Sequence, residues 1–557
     1  MRSFPLPSIL VCVVLVLCAC APAASVAATP SPERTAAIEL SDYLSRLSEL
    51  GFTGSVLVAQ KGEILHSRGY GLIHEKDPIT PDTIFAIGSN TKPFTAAAIL
   101  KLQDQGLLKL TDPLRKFFPQ VTEDKADITL HQLLTHSSGL DHSGAFNSDF
   151  EQVGREDAVD RILSGRLLFK PGNESSYSDY GFILLAAIIE QVSGKTYQNY
   201  LREQLFHPSD MTHTGWWGDD PALQGQLMAG TIAGLPEPAW SILGAGGMVS
   251  TVTDLYRWHT ALEEGKVLSE TALQAYSTVQ FRVDERGGEG YGWLILDEPG
   301  RRMRAHAGGT PQLGHNNVMR WYIDEDLIIL ASTSHEKWKA EDVAPNLARI
   351  VMGLPYSMPP EAVPVDTSIL DEYAGRYQLD PNNIFTVSRD GERLLLSGEG
   401  QRAFDLLFKT EMGIDVEASQ SAVVKYLNSQ QGGLLEQWKN RQSQRLGEFE
   451  GFRVTGTAPL FGSGEPWTYV SFEFEHGNAL TRWIVSPAGA LEAALLETQP
   501  PYMVFLPESE NQFVPFSLNL KSPIQSVTFS TIESGTNSMT ISIKSGQLNA
   551  PRLTANG

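Results

Sequence analysis

The length and charge of the chain already exclude several classes of protein. It has 557 residues, a formal net charge of −22 and 42% hydrophobic residues. A chain of this length is too long for a single core, so we expect roughly two to four domains. The hydrophobic content is enough for packed domains rather than disorder. The excess of acidic residues argues against nucleic-acid binding, because phosphates would be repelled.

The N-terminal segment has the features of an export signal. Arg2 precedes an apolar run, Ile9–Leu17, which is too short for a membrane-spanning helix. All three cysteines of the chain lie here, and the sequence that ends in Cys20 resembles a bacterial lipobox. We therefore expect residues 1–20 to be a lipoprotein signal peptide, with Cys20 lipidated, and residues 21–35 to be a tether. The alternative is ordinary cleavage after residue 23 or 28 and secretion. Both predict an extracytoplasmic protein of a bacterial cell envelope or periplasm.

Strand and helix patterns then bracket a long, mainly helical middle. Residues with helical spacing occur over Leu40–Leu50, and Gly54–Gln60 and Ile64–Gly69 alternate as a hairpin does. Near the other end, Leu327–Thr333 predicts a buried strand and Ala344–Met352 a closing helix. The two ends of the segment are therefore expected to meet in one domain.

A serine and a lysine lie three positions apart near the start of a predicted helix. Ser89 and Lys92 would share one face of that helix. Pro93 places them in the first turn, where no backbone donor is lost, and Gly106 ends the helix. A serine hydroxyl is a weak nucleophile until a base takes its proton, so this pair predicts an activated nucleophile. A second S-x-x-K sequence, at Ser334, is taken as a chance match, because it lacks the glycine and the directly following helix that surround Ser89.

This motif and its neighbours resemble the serine β-lactamase and penicillin-binding-protein family, in its class C-like, esterase and D-peptidase branch. The resemblance runs from about residue 52 to about residue 352. It implies an α/β fold of the β-lactamase/transpeptidase type, in which an antiparallel sheet is flanked by helices and joined to a helical subdomain. We expect this domain at 36–354. The other segments that carry the resemblance are Gly69-Tyr70-Gly71, Thr83-Ile84-Phe85, residues 133–140 (LLTHSSGL) and residues 246–251 (GGMVST).

The second motif of the family, Y-x-N, has a near match and a strict match. The near match is Tyr177-Ser178-Asp179, which precedes an apolar helix, Phe182–Ile189. The strict match, at Tyr197, lies inside a predicted helix, where a tyrosine that only packs is expected. We therefore place the motif at Tyr177 and treat Asp179 as a departure from the pattern. An ionised Asp offers acceptors only, so Asp179 should favour a protonated Lys92 and disfavour anionic substrates.

The third motif, H-x-G, is matched by His306-Ala307-Gly308, while His142-Ser143-Gly144 is a weaker match in an apparent loop. The resemblance implies that Ser89 attacks a carbonyl, with Lys92 and Tyr177 handling its proton. It also implies an oxyanion hole made by the N–H groups of Ser89 and Gly309, beside a substrate wall of His306 and Asp179. No metal or other cofactor is expected, because no cluster of histidines and cysteines has ligand spacing.

The pattern of the sequence changes after a proline-rich stretch. Residues 355–365 contain four prolines and predict a linker. Short strands and an Asp390-Gly391 hairpin then predict a small β-barrel-like domain at 366–455, similar to modules attached to family members. A second β-rich domain is expected at 456–557. Its strongest strand signal is the alternation of Thr468, Val470, Phe472 and Phe474.

These features favour a cell-envelope serine hydrolase that cleaves amide, ester or lactam carbonyls of small-molecule or peptide substrates through an acyl-enzyme on Ser89. D-peptidase, carboxylesterase and β-lactamase share the motifs and stay open. His306 in place of a lysine makes an efficient β-lactamase less favoured. One alternative is an inactive homologue that binds or scaffolds, supported by Asp179. Another is a polysaccharide or protein binder built on the C-terminal β domains. The expected membrane contact is the lipid anchor.

Overall fold

The structure is a computed structural model that describes most of the chain beyond the N-terminal segment. The predicted signal peptide, Cys20 and most of the tether lie outside the described residues. None of the described helices is both long and apolar enough to cross a membrane. The described residues are 32–73, 76–142, 144–218, 223, 237–298, 301–334, 338–361, 363–408, 415–429, 433–459, 466–518, 522–531 and 537–553.

An antiparallel sheet forms the centre of the N-terminal unit, residues 32–354. The strands of this unit are β1 Gly54–Gln60, β2 Glu63–Tyr70, β3 Leu72–Ile73, β4 Asp77–Pro78, β5 Phe85–Ala86, β6 Gly215–Trp216, β7 Met248–Ser250, β8 Phe281–Asp284, β9 Gly287–Glu289, β10 Leu294–Glu298, β11 Arg301–Thr310, β12 His315–Tyr322 and β13 Leu327–Thr333. The main sheet has the order β2-β1-β13-β12-β11-β10-β9-β8. Two small sheets, β3-β4 and β5-β7-β6, lie beside it.

Helices cover the sheet and build the middle of the unit. They are α1 Pro32–Glu49, α2 Lys92–Asp104, α3 Leu130–Leu134, α4 Arg155–Ser164, α5 Asp179–Ser193, α6 Tyr197–Leu201, α7 Val252–Glu263, α8 Glu270–Tyr276 and α9 Ala340–Val351. Strand β1 shows why there are two helical layers. Val56 and Val58 share a core with α1 and α9, whereas Leu57 and Ala59 join the core that contains α2 and α7. Side chains alternate along a strand, so β1 is buried on both faces.

The predictions for this unit hold in outline and differ at their ends. The hairpin is β1-β2, the predicted buried strand is β13, and the closing helix is α9, which begins four residues early. Helix α1 begins at Pro32, inside the predicted tether. The strand expected before Ser89 is short and comprises Phe85–Ala86.

The C-terminal region contains more helix than the sequence patterns predicted. Its helices are α10 Thr367–Tyr373, α11 Gln401–Leu407, α12 Val416–Ser429 and α13 Gly433–Leu446. Its strands are β14 Gly375–Asp380, β15 Asn383–Asp390, β16 Arg393–Glu399, β17 Phe449–Pro459, β18 Pro466–Phe474, β19 Gly477–Val485, β20 Leu491–Leu495, β21 Tyr502–Pro507, β22 Gln512–Phe516, β23 Ile524–Thr531, β24 Asn537–Ile543 and β25 Gly546–Pro551. No regular element is described over the predicted linker.

Strands from both ends of this region form one sheet, in the order β14-β15-β16-β21-β22-β23-β24-β25. Tyr377 pairs with Arg552, so the first and last strands meet and the sheet closes as a barrel. Helices α11–α13 and a second sheet, β17-β18-β19-β20, are inserted between β16 and β21; we call them the inserted unit. The boundary predicted between residues 455 and 456 is therefore wrong, since it cuts β17. Local strand patterns do not show which distant strands will pair, so the small barrel predicted at 366–455 lacked the strands that follow the insertion.

The contact between β11 and the turn before α2 depends on a glycine. A Cβ atom at Gly308 would lie 2.0 Å from the Ile87 oxygen and 2.9 Å from the Asn90 nitrogen. Gly308→Ala should therefore push β11 away from this turn and lower the free energy of unfolding by at least about 1–3 kcal/mol, the scale of overpacking. Urea unfolding of the full chain measures the change.

Gly154→Ala is the matched control in the same unit. A Cβ there meets no atom within 4 Å, and φ is −78°. Gly154→Ala should lower the free energy of unfolding only slightly, through the change of the residue that caps α4. Equal stability of the Gly308 variant and the wild type would show that the strand is free to move.

Candidate active site

Ser89 lies in a tight turn that leads directly into a helix. Gly88–Thr91 forms a 3-10 turn, and α2 follows at once with Pro93 in its first turn, as predicted. One helical turn therefore places Lys92 on the same side as Ser89, and its Nζ donates to Ser89 Oγ at 3.1 Å. The predicted helix ends at Asp104, and Gly106 has a φ of +73°.

Lys92 is a fully buried cation with a complete set of acceptors. Its Nζ lies 3.1 Å from Ser89 Oγ, 2.9 Å from the Ala245 oxygen and 2.6 Å from Asp179 Oδ1. The first two contacts are hydrogen bonds and the third is an ion pair, so three oxygen atoms contact the buried ammonium. Burial by itself would lower the pKa of Lys92, but the Tyr177 and Asp179 oxygens outweigh it and raise the pKa. Lys92 is therefore charged at neutral pH.

The second predicted motif is brought to Lys92 by the start of α5. Asp179 is the first residue of this helix, where the helix dipole favours a carboxylate. The Tyr177 ring centroid lies 4.7 Å from Lys92 Nζ, and this side chain is 44% exposed. Tyr197, the alternative, is buried in the core and its hydroxyl lies 2.6 Å from Thr95 Oγ1, as a packing tyrosine does. The structure thus unites Ser89, Lys92, Tyr177 and Asp179.

His136 is a neighbour of the site that sequence reasoning did not single out. Its ring stacks on Tyr177 with centroids 4.5 Å apart, and its Nδ1 accepts from the Ser178 N–H at 3.1 Å. Burial and the charge of Lys92 hold the pKa of His136 well below its usual value, so the ring is neutral. His136 therefore supports the Tyr177 ring from behind. The sequence did hold one signal for His136, because this residue lies in the segment 133–140 that carries the family resemblance.

His306 and Gly309 lie on β11, along the opposite wall. Strand β10 pairs with β11 only up to Ala305, so in the described part of the chain the backbone from His306 onward is paired on one edge only. A Cβ at Gly88 would lie 2.4 Å from the Gly309 oxygen and 2.8 Å from its nitrogen. The backbones that carry Ser89 and Gly309 are therefore in close contact.

The wall offers no fixed positive charge. His306 Nδ1 donates to the Ala307 oxygen at 2.8 Å, and burial together with Lys92 lowers the pKa of His306 to about 3.

Two further acidic groups are close by. Burial and the charge of Asp179 raise the pKa of Asp149, and burial raises the pKa of Glu289, which accepts from Ser175, to about 7. In the described part of the chain, no three His, Cys, Asp or Glu residues are grouped to hold a metal ion.

Several candidates lie outside this cluster. Ser334 bonds to Thr53 at 2.8 Å between hydroxyl oxygens, and residues 335–337 of its motif lie outside the described residues, as does Ser143 of the weaker H-x-G match. Arg304, two residues before His306, is buried, with its guanidinium 3.7 Å from the Trp321 ring centroid. A planar guanidinium can be buried where aromatic faces and a carboxylate, here Glu263, receive it.

Comparison with known proteins gives one family match and several relatives. The family model described as Beta-lactamase matches residues 48–351. The chain is 29% identical over 395 residues to penicillin-binding protein 4* of Bacillus subtilis, an alignment that covers 65% of this chain and 87% of the relative. It is also 29% identical to esterase EstB of Burkholderia gladioli (52% and 88% covered) and 31% identical to the D-alanyl-D-alanine-carboxypeptidase/endopeptidase AmpH of Escherichia coli (42% and 63%).

One solved structure extends the likeness to the C-terminal region. The octameric penicillin-binding protein homologue from Pyrococcus abyssi superposes with a TM-score of 0.53, although only 19% of residues are identical. The match covers 92% of this chain and 99% of that one. It shows a common fold that includes the extra β domains as well as the sheet and helices around Ser89.

Proposed function

Because this chain belongs to the beta-lactamase family of serine hydrolases, we propose that it cleaves ester or amide bonds through an acyl-enzyme on Ser89. The observation that carries the proposal is the buried Lys92 ammonium, which is held between Ser89, Asp179 and Tyr177. A nucleophile, a cation and a phenol in contact are the parts that acyl transfer requires. The acidic residues around them fit neutral or cationic substrates better than anionic ones.

The proposed reaction begins with removal of the proton from Ser89. Lys92 and Tyr177 act as one coupled pair, which must lose a proton before it can accept this one. Ser89 Oγ then forms a bond to the substrate carbonyl carbon. The N–H groups of Ser89 and Gly309 receive the negative charge on the carbonyl oxygen. Tyr177 passes the proton to the leaving group, whose bond to carbon breaks, and water later hydrolyses the ester on Ser89.

Asp179 supports a competing function as well. Its ion pair with Lys92, at 2.6 Å, holds the base in its charged form and would suit a protein that binds without turnover. A test of acylation separates the two functions. We favour hydrolysis, since Ser89, Lys92 and Tyr177 are all present, with Lys92 Nζ 3.1 Å from Ser89 Oγ and 4.7 Å from the Tyr177 ring centroid.

Replacing Ser89 tests the nucleophile. Ser89→Ala should abolish covalent capture of a fluorophosphonate and lower the rate of ester hydrolysis by at least about 10³-fold, the scale of losing a nucleophile. The readouts are mass spectrometry of the labelled protein and hydrolysis of p-nitrophenyl esters. Ser334→Ala, in the second S-x-x-K sequence, is the matched control and should label normally. Label on any serine other than Ser89 would contradict the assignment.

Replacing Asp179 tests the tuning of the base. Asp179→Asn removes a charge that raises the pKa of Lys92, so that pKa falls and the Lys92–Tyr177 pair loses its proton at lower pH. The acidic limb of kcat/KM, measured on one neutral ester, should move to lower pH. Asp160→Asn, on the exposed face of α4, should leave the profile unchanged. Superimposable profiles for the Asp179 variant and the wild type would mean that the carboxylate does not govern the base.

We also propose that the protein works outside the cytoplasm, anchored by lipid on Cys20. The support is the lipobox-like sequence after an apolar run. Cys20→Ser should release the protein from membrane fractions of the expressing bacterium, whereas Cys12→Ser should not. Membrane fractionation followed by mass spectrometry of the N-terminus measures both. An unmodified mature N-terminus at Ala24 or Thr29 would show secretion instead.

A further inference from the structure

A second cavity lies far along the chain from Ser89, where the N-terminal unit, the barrel and the inserted unit meet. Its volume is about 320 Å³. Trp338 and Asp342 line it from the N-terminal unit, Arg393 and Leu395 from the barrel, and Tyr469 and Arg482 from the inserted unit. Ligand pockets commonly have volumes of about 300–1,000 Å³, so this cavity suits a small organic molecule.

The walls of the cavity are largely aromatic and apolar. Trp338, Tyr469 and Phe516 are nearly buried side chains that line it, and the rings of Trp338 and Phe516 lie 6.1 Å apart between centroids. Met503 and Val504 add aliphatic surface. Such walls gain free energy when they are covered by the apolar body of a ligand rather than by water.

Arg482 brings a positive charge to this apolar setting without a matching carboxylate. Its guanidinium carbon lies 4.7 Å from the Trp467 ring centroid, and its strand position faces Tyr469. Its Nε is buried and lacks a hydrogen-bond acceptor among the described residues, while the rest of the guanidinium interacts with the Tyr469 hydroxyl. Arg393, the other arginine here, differs because it donates to Asp390 at 3.1 Å and to the Leu50 oxygen at 3.3 Å.

We propose that this cavity binds a small organic carboxylate with an apolar or aromatic body. The carboxylate accepts from Arg482, whose planar fork of N–H donors matches two oxygens. The body of the ligand packs against Trp338, Tyr469 and Phe516. The guanidinium has an N–H donor left without an acceptor among the described residues and carries one positive charge, which matches one carboxylate, and Asp342 and Asp390 on the other walls disfavour a dianion such as phosphate. The bound ligand contacts all three units and holds them together.

Calorimetric titration of the full chain tests the site with 3-phenylpropanoate, which has no bond that a hydrolase could cleave. The protein is first treated with a fluorophosphonate, so that binding near Ser89 does not contribute. We expect saturable binding to the wild type, at least tenfold weaker binding to Arg482→Met, and unchanged binding to Arg453→Met, where an exposed arginine of β17 is replaced. The uncharged analogue 3-phenylpropan-1-ol should bind the wild type at least tenfold more weakly than the acid.

Three results would overturn the proposal. They are the absence of saturable binding up to about 10 mM, equal affinity of the wild type and Arg482→Met, and equal affinity for the acid and the alcohol. If Arg482→Met does not fold, Leu395→Trp fills the cavity from the barrel side and keeps the arginine. Leu395→Trp should then bind 3-phenylpropanoate at least tenfold more weakly than the wild type, and unchanged binding would overturn the proposal. The wild type should also show a raised melting temperature in the presence of the acid.

Discussion

The buried charge of Lys92 is the constraint on which the rest of the site depends. A cation removed from water is costly unless acceptors surround it, and breaking one partner of such a buried pair costs roughly 3–5 kcal/mol. The acceptors come from three separate parts of the chain: the turn before α2, the start of α5 and the loop at Ala245. The folded state must therefore hold these parts together, and the same contacts that satisfy the charge also place Tyr177 and Ser89.

Close backbone contact supplies the second constraint. Gly88 and Gly308 leave room for β11 to touch the turn that carries Ser89, and this contact needs no side chain at all. A lysine fixed by charge on one side and a strand fixed by steric fit on the other define a cleft of set width. His136 stacks on the Tyr177 ring with centroids 4.5 Å apart and so supports the position of that ring.

Sequence reasoning found the parts of the site that carry short, ordered motifs. Ser89 and Lys92 were predictable because three-residue spacing on a helix fixes their geometry, and the Tyr177 and His306 segments followed in order along the chain. His136 and Ala245 were missed because one acts through its ring face and the other through its backbone oxygen. A small barrel was predicted, but the strands that complete it after residue 500 were missed for a similar reason. Each strand was visible locally, but the pairing of β16 with β21 joins residues that are separated by the whole inserted unit.

That pairing gives the C-terminal region a modular character. Leu394 lies opposite Phe505 and Ser397 opposite Tyr502, so the chain leaves the barrel and returns to it at adjacent positions. The strands of the barrel pair with one another and with no strand of the inserted unit. The inserted unit therefore occupies the place of a long loop between β16 and β21. An exchange or enlargement of the inserted unit at this point would therefore leave the strand pairing of the barrel and the N-terminal unit intact.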